Sequence, residues 1–163
     1  MRSAPWFGRT LLALGLAAGA AGCSHAAAED PVPADFSVSL SRSACYGTCP
    51  IYSVTIAADG TVGYHGEKFV AVTGFQARTI TPEKVREVYD AIEKANVFAL
   101  EDEYVGAVTD FPTYELSITY KGRTKRIEDY AGKMADMPKS VTEIEEMIDD
   151  VAGTRDWING DAP

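Results

Sequence analysis

The sequence predicts an α+β fold, in which an antiparallel sheet of about four to six strands carries two helices on one face. Two observations support this prediction. Short segments alternate apolar and polar residues between glycine turns, and two longer segments repeat apolar residues at helical spacing. The chain has 163 residues, of which 46% are hydrophobic, so it can bury the core of one domain. We expect that domain to span residues 36–158.

Half-buried strands are predicted where apolar residues occupy every second position. The alternation runs through residues 36–40 and again through residues 52–56, with serine or threonine between the apolar side chains. Asp59-Gly60 then provides a hairpin turn. Residues 62–73 continue with β-branched and apolar side chains, which predicts two further strands or one interrupted strand.

Two helices are predicted from apolar spacing and from end signals. Thr81 before Pro82 is typical of a helix start, because proline fits the first helical position. Ser140 and Glu143 form a capping-box pattern for the second helix, and Gly153 provides its stop. The apolar residues at helical spacing are Val85, Val88, Tyr89 and Ile92 in the first segment, and Val141, Ile144, Ile148 and Val151 in the second.

An internal repeat suggests how these elements are organised. Five positions recur at a constant offset of 62 residues, namely Pro50, Tyr52, Val54, Ile56 and Gly60, which match Pro112, Tyr114, Leu116, Ile118 and Gly122. One interpretation is a fold of two strand-strand-helix units placed side by side. The alternative is coincidence, since tyrosine, valine and isoleucine favour strands in any protein.

The N-terminal residues resemble a bacterial lipoprotein signal. Arg2 and Arg9 precede an apolar run, residues 11–21, which is too short to span a bilayer. Small residues then precede Cys23, as at the lipoprotein cleavage site, where the cysteine is acylated and becomes the new N-terminus. We expect a signal peptide over residues 1–22 and a lipid anchor on Cys23. An ordinary secretory signal, cleaved at a nearby small residue, is the alternative.

The residues after Cys23 predict a flexible tether and a location. Residues 23–35 lack hydrophobic periodicity and contain two prolines. Ser24, in place of an aspartate, favours the outer membrane, with the protein facing the periplasm. Residues 159–163 are predicted to be a disordered tail.

The charge of the chain excludes nucleic acid as a partner. There are 15 Lys and Arg residues against 24 Asp and Glu, a formal net charge of -9 at pH 7. No basic surface is therefore available to neutralise phosphates by counterion release. The expected partners are the membrane, through the N-terminal lipid, and an envelope protein or polymer.

Cys45 and Cys49 are predicted to form a disulfide, because Cys23 carries lipid and the compartment is oxidising. The loop that they close is short, so in the chain-entropy model the bridge stabilises by only about 2 kcal/mol. Its role would be to shape the segment Cys45–Pro50, which we call the cysteine loop.

The cysteine loop also carries a family resemblance. Together with Tyr52, Asp59-Gly60, Thr109-Asp110 and the closing pattern from Asp149 to Trp157, it resembles an uncharacterised domain family of bacterial envelope lipoproteins. The resemblance covers nearly all of residues 36–158. It implies the extent of the domain and no known activity.

The cysteine spacing also resembles the copper-delivery proteins of cytochrome oxidase assembly, in which two thiolates and a distant histidine bind copper. That family places its cysteines between a strand and a helix, whereas residues 51–57 here predict a strand. That family also requires a histidine far along the chain, whereas His65, the candidate third ligand here, lies just 16 residues after Cys49. Copper binding and thiol-redox exchange at Cys45 and Cys49 therefore stand as alternatives to a structural bridge.

Aromatic residues in predicted loops are the candidate binding residues. Tyr46, Tyr104 and Phe111 offer large contact areas at low entropic cost, and Asp110 shares a loop with Phe111. The alternative roles are loop packing for the aromatic residues and an Asx-type turn for Asp110. The acidic residues Glu145, Glu146, Asp149 and Asp150 are predicted to form the polar face of the second helix.

No catalytic set, metal site or cofactor is predicted. The chain has only two histidines, His25 and His65, and a set built on Ser43 or Ser53 with His65 lacks a nucleophile-elbow motif. We therefore predict a non-enzymatic envelope lipoprotein that acts as a binding or structural module. A periplasmic thiol-redox or copper-handling protein is the alternative.

Overall fold

Seven strands form one sheet in the computed structural model, which describes residues 30–161. The strands are β1 (Ser37–Arg42), β2 (Ile51–Ala57), β3 (Thr61–Lys68), β4 (Gly74–Thr79), β5 (Glu103–Val105), β6 (Thr113–Tyr120) and β7 (Arg123–Tyr130). Their order is β4-β3-β2-β1-β6-β7-β5, and neighbours are antiparallel except for the parallel pair β5 and β7. The predicted α+β fold is confirmed. The predicted strand number is too low, and the sheet is not wholly antiparallel.

Two strands that the sequence did not predict lie at the two edges of the sheet. β4 begins at Gly74, immediately after the residues that the sequence pattern assigned to a strand, and its side chains are mostly exposed. β5 has three residues, too few to show an alternation. Edge strands that bury few side chains lack the apolar period on which strand prediction depends.

The described part of the chain contains three α-helices: α1 (Pro82–Ala95), between β4 and β5, and α2 (Lys139–Ala152) and α3 (Thr154–Asn159), after β7. α1 begins as predicted, with Thr81 at the N-cap and Pro82 in the first turn. Gly153 ends α2 in the left-handed conformation, also as predicted, but the chain then continues into the short helix α3. The two predicted helices correspond to α1 and α2, and the six-residue α3 is an additional short helix.

The start of α2 differs from the predicted capping box. Pro138 precedes the helix, and no side chain caps it. Glu143 instead accepts a hydrogen bond from the ammonium group of Lys139 at 2.5 Å. The expected reciprocal pair between Ser140 and Glu143 does not form, because the helix already begins at Lys139 and Ser140 lies inside its first turn rather than at the N-cap.

One face of the sheet forms the core with the helices. Val38 and Leu40 on the central strand β1 are fully buried between the apolar side chains of β2 and β6. Tyr89 of α1 packs edge-to-face against Phe36 and Tyr120, while α2 packs on β1 and β2. The opposite face presents mainly small polar side chains, which explains the strict alternation of the strand sequences.

The two halves of the predicted repeat lie on either side of β1. The hairpin of β2 and β3 flanks one edge of β1, and the hairpin of β6 and β7 flanks the other. Arg42 on β1 pairs in register with both Tyr52 and Tyr114, the tyrosines that the 62-residue offset relates. The offset therefore corresponds to equivalent positions across the central strand. The two hairpins are extended differently, since β4 pairs antiparallel with β3 and β5 pairs parallel with β7.

The residues just before β1 pack on the sheet, where the sequence predicted a tether. Val32 contacts the core, and the Asp35 carboxylate accepts hydrogen bonds from the backbone N–H groups of Lys121 and Gly122 at 3.0 and 2.7 Å. The predicted signal peptide and Cys23 lie outside the described residues. Within residues 30–161, no helix has the length and apolar character needed to cross a membrane.

Candidate functional site

The cysteine loop and the loop that carries Asp110 and Phe111 lie side by side at one end of the sheet. Cys45 and Cys49 form a disulfide, with their Cα atoms 5.8 Å apart. The backbone N–H of Tyr46 donates to the carbonyl oxygen of Asp110 at 3.1 Å. The loops meet because β1 and β6 pair directly, and the hydrogen bonds between Ser43 and Thr113 extend this pairing beyond the strands.

At this end of the sheet, the helix-covered face changes from apolar to polar. A row of side chains crosses five strands in register, comprising Tyr52, Arg42, Tyr114, Asp129 and Tyr104. Tyr104 was expected to be a loop contact, but it lies in β5 and is only 8% exposed. Its hydroxyl accepts a hydrogen bond from the backbone N–H of Glu101 at 3.2 Å, so Tyr104 supports the fold rather than a binding loop.

Asp149 of α2 is the centre of a hydrogen-bonded group that we call the Asp149 cluster: Arg42, Tyr52, Asp149 and Thr154. Its carboxylate accepts hydrogen bonds from Arg42 Nη2 at 2.5 Å, from Tyr52 at 2.7 Å and from Thr154 at 2.9 Å. The Arg42 guanidinium also lies 4.0 Å from the centre of the Tyr114 ring. Burial, reinforced by the Asp149 carboxylate, raises the pKa of Tyr52, so its hydroxyl remains a donor.

Glu145 lies one helical turn before Asp149, but its surroundings differ in burial and in hydrogen bonding. It is 2% exposed, and its Oε1 atom has no hydrogen-bond partner in the described part of the chain. Burial and the nearby Asp129 carboxylate raise the pKa of Glu145 to about 8, against the opposing effect of Arg42. This shift favours the neutral carboxylic acid of Glu145 at neutral pH.

The prediction that Glu145 belongs to the polar face of α2 is wrong. Asp149 is half-buried and Glu145 is buried, whereas Glu146 and Asp150 are exposed. A signal was present in the sequence, because Glu145 stands four residues after Val141 and three before Ile148. This spacing places it within the apolar stripe of α2.

A pocket of about 560 Å³ lies beside the cysteine loop, and we call it the cysteine-loop pocket. Its lining residues come from four parts of the fold, namely the sheet (Arg42, Tyr114, Asp129), the two loops (Cys49, Phe111, Pro112), the turn after β7 (Ala131, Gly132, Lys133, Met134) and α2 (Thr142, Glu145, Glu146). Of the predicted site residues, Cys49 and Phe111 line this pocket. Tyr46 is 88% exposed and is not among the lining residues.

The wall after β7 requires a glycine at position 132. The backbone N–H of Gly132 donates to Asp129 Oδ1 at 2.6 Å, so the turn closes tightly over this carboxylate. A Cβ atom at Gly132 would lie 2.8 Å from both Asp129 Oδ1 and the sulfur of Met137. The absence of a side chain lets this turn, with Met134, form one side of the pocket.

The remaining histidine candidate lies elsewhere in the fold. His65 is on β3 and stacks on the ring of Phe75, with the ring centres 4.2 Å apart. Among residues 30–161, no group of three or more His, Cys, Asp or Glu side chains has an arrangement that could hold a metal ion.

A family model described as a domain of unknown function, DUF6438, matches residues 36–152. A comparison with curated proteins finds no match. The match covers most of the chain, including the cysteine loop and α2, and confirms the expected relationship to an uncharacterised domain family. This chain belongs to the DUF6438 family.

Proposed function

We propose that this protein is a non-enzymatic binding module of the cell envelope. In this proposal, acylation of Cys23 holds it at the outer membrane, facing the periplasm, and an envelope protein or polymer inserts a small group into the cysteine-loop pocket. The observation that carries the proposal is the pocket itself, which combines exposed apolar walls with buried polar atoms that have no hydrogen-bond partner within residues 30–161.

The apolar walls favour binding because they expose hydrophobic surface at the pocket. Phe111 is 48% exposed and Met134 is 66% exposed, and both line it. Contact with an apolar ligand group would remove this surface from water, which is favourable in proportion to the buried area. Aromatic side chains such as Phe111 are frequent among the contacts that dominate binding energy.

The polar side chains of the pocket favour binding over catalysis. Thr142 offers a hydroxyl, but its Oγ1 atom has no hydrogen-bond partner among the described residues, so no base activates it. Cys49 is held in the disulfide with Cys45. The pocket residues therefore do not form a nucleophile-base pair of the kind that covalent catalysis requires.

Phenylpropanol is a suitable first probe, because it joins an apolar ring to an uncharged polar end. We expect it to shift the backbone NMR signals of Gly132 and Thr142 in a saturable manner. Phe111→Ala should weaken this binding about tenfold, since it removes a large apolar contact.

Phe75→Ala is the matched control for this experiment. Phe75 is also an exposed aromatic residue, at 83%, but it lies on β4 and does not line the pocket. Its replacement should leave the affinity unchanged. Absence of saturable shifts at Gly132 and Thr142, or an equal effect of both substitutions, would contradict a binding role for the pocket.

A further inference from the structure

We infer that the cysteine-loop pocket selects a neutral amide group, whose carbonyl oxygen and N–H pair with the buried Glu145 carboxyl and the Thr142 hydroxyl. This inference rests on the proposed function, because it specifies the ligand of the same pocket. It is carried by the polar atoms that the fold leaves without partners, together with the charges around them.

Glu145 and Thr142 lie on one face of α2, three residues apart, and both line the pocket. Glu145 Oε1 and Thr142 Oγ1 are buried, and neither has a hydrogen-bond partner in the described residues. A buried polar atom without a partner is unfavourable, and native proteins rarely retain one. A ligand that supplies the missing hydrogen bonds would remove this penalty at two neighbouring positions.

The surroundings of the Glu145 carboxyl group favour its uncharged form. Glu145 is 2% exposed, and Arg42, the cation with the larger opposing effect on its pKa, is already engaged by Asp149. Burial and the Asp129 carboxylate raise its pKa to about 8. The neutral acid offers one O–H donor and one carbonyl acceptor, which complement the acceptor and donor of an amide.

The charges that line the pocket, two of each sign, favour neither an anionic nor a cationic ligand. Arg42 and Lys133 would repel an ammonium group, whereas Asp129 and Glu146 would repel a carboxylate. A ligand charge would also have to leave water to reach the buried Glu145 carboxyl. A neutral group with both a donor and an acceptor meets neither cost, and Phe111 and Met134 then accommodate an apolar group beside it.

Four probes that share a phenylpropyl group test whether the pocket prefers an amide, an anion, a cation or an alcohol. They are phenylpropionamide, phenylpropionate, phenylpropylamine and phenylpropanol. Dissociation constants are measured at pH 7 on the full chain by NMR titration. We expect the amide to bind about tenfold more tightly than the alcohol, through one additional satisfied hydrogen bond, and both ions to bind more weakly than the alcohol.

Substitutions at Glu145 test which group makes the contact. Glu145→Gln keeps a donor and an acceptor and should retain the amide preference, whereas Glu145→Met should abolish it while leaving the alcohol affinity within about threefold. Thr142→Val should reduce the preference in the same way. Glu143→Gln, an exposed residue of α2 that does not line the pocket, is the matched control and should change nothing.

Each outcome decides the inference. Tightest binding by the ammonium or carboxylate probe, or equal binding of amide and alcohol, would overturn the amide assignment and leave the pocket as a binding site. Loss of the amide preference in Glu145→Gln would also overturn it. If none of the four probes binds, the proposed function fails together with the inference.

Discussion

The two acidic residues on the sheet-facing side of α2, Asp149 and Glu145, differ in their hydrogen bonding, although they stand one helical turn apart. Asp149 receives hydrogen bonds from Arg42, Tyr52 and Thr154, whereas Glu145 Oε1 has no partner in the described residues. The first arrangement ties α2 to the sheet, and the second leaves polar atoms free for a ligand. A buried carboxyl group is therefore structural or available for binding according to its partners, and its burial alone does not distinguish the two roles.

The largest expected effect is the loss of the Asp149 cluster. Asp149→Ala should lower the free energy of unfolding by about 3–5 kcal/mol, because it leaves the Arg42 guanidinium half-buried without a counterion. The measurement is urea denaturation at pH 7. Asp150→Ala is the matched control, since Asp150 is the next residue and is exposed, and it should cost less than about 0.5 kcal/mol. Equal effects at the two positions would contradict the structural role of Asp149.

The disulfide shapes the cysteine loop that borders the pocket. Replacing Cys45 and Cys49 together by serine should cost about 2 kcal/mol, the entropy of a short closed loop, and should weaken phenylpropanol binding. In the folded protein, the bridge should resist mild reductant and alkylation, and mass spectrometry measures this directly. Ready reduction and alkylation of the native protein, with the fold retained, would favour the redox alternative at these cysteines.

A third effect distinguishes Glu145 by its pH dependence. The pKa of Glu145 is raised from 4.5 to about 8, so the unfolded chain releases this proton at lower pH than the folded protein. Its contribution to stability is therefore fully present below about pH 4.5 and is lost as the pH rises to about 8, by at most about 1.4 kcal/mol per pH unit.

Glu145→Gln tests this dependence because glutamine has a similar shape and does not titrate. The difference in unfolding free energy between the native protein and this variant should change steadily between pH 5 and 8. Glu146→Gln, an exposed neighbour, should retain the native slope. If the two variants show the same pH dependence, the neutral, buried state of Glu145 is wrong.

The predictable part of the candidate site was its loops. Tyr46, Asp110 and Phe111 were expected in two loops related by the 62-residue offset, and the pairing of β1 with β6 brings those loops together. Tyr104 could not be placed correctly, because a three-residue strand gives no alternation to detect. The burial of Glu145 was readable from its position in the apolar stripe of α2, but its charge favoured the opposite assignment.

The sequence by itself determined the fold class, the main helices and the central strands, because each depends on a local period of apolar residues or on a local end signal such as Thr81-Pro82. It also determined family membership, through residues 36–152. Only the tertiary structure decided which carboxyl groups found partners. Arg42 is 107 residues from Asp149 along the chain, and strand register, helix placement and burial together determine that this pair forms, while Glu145 Oε1 has no partner in the part of the chain that the structure describes.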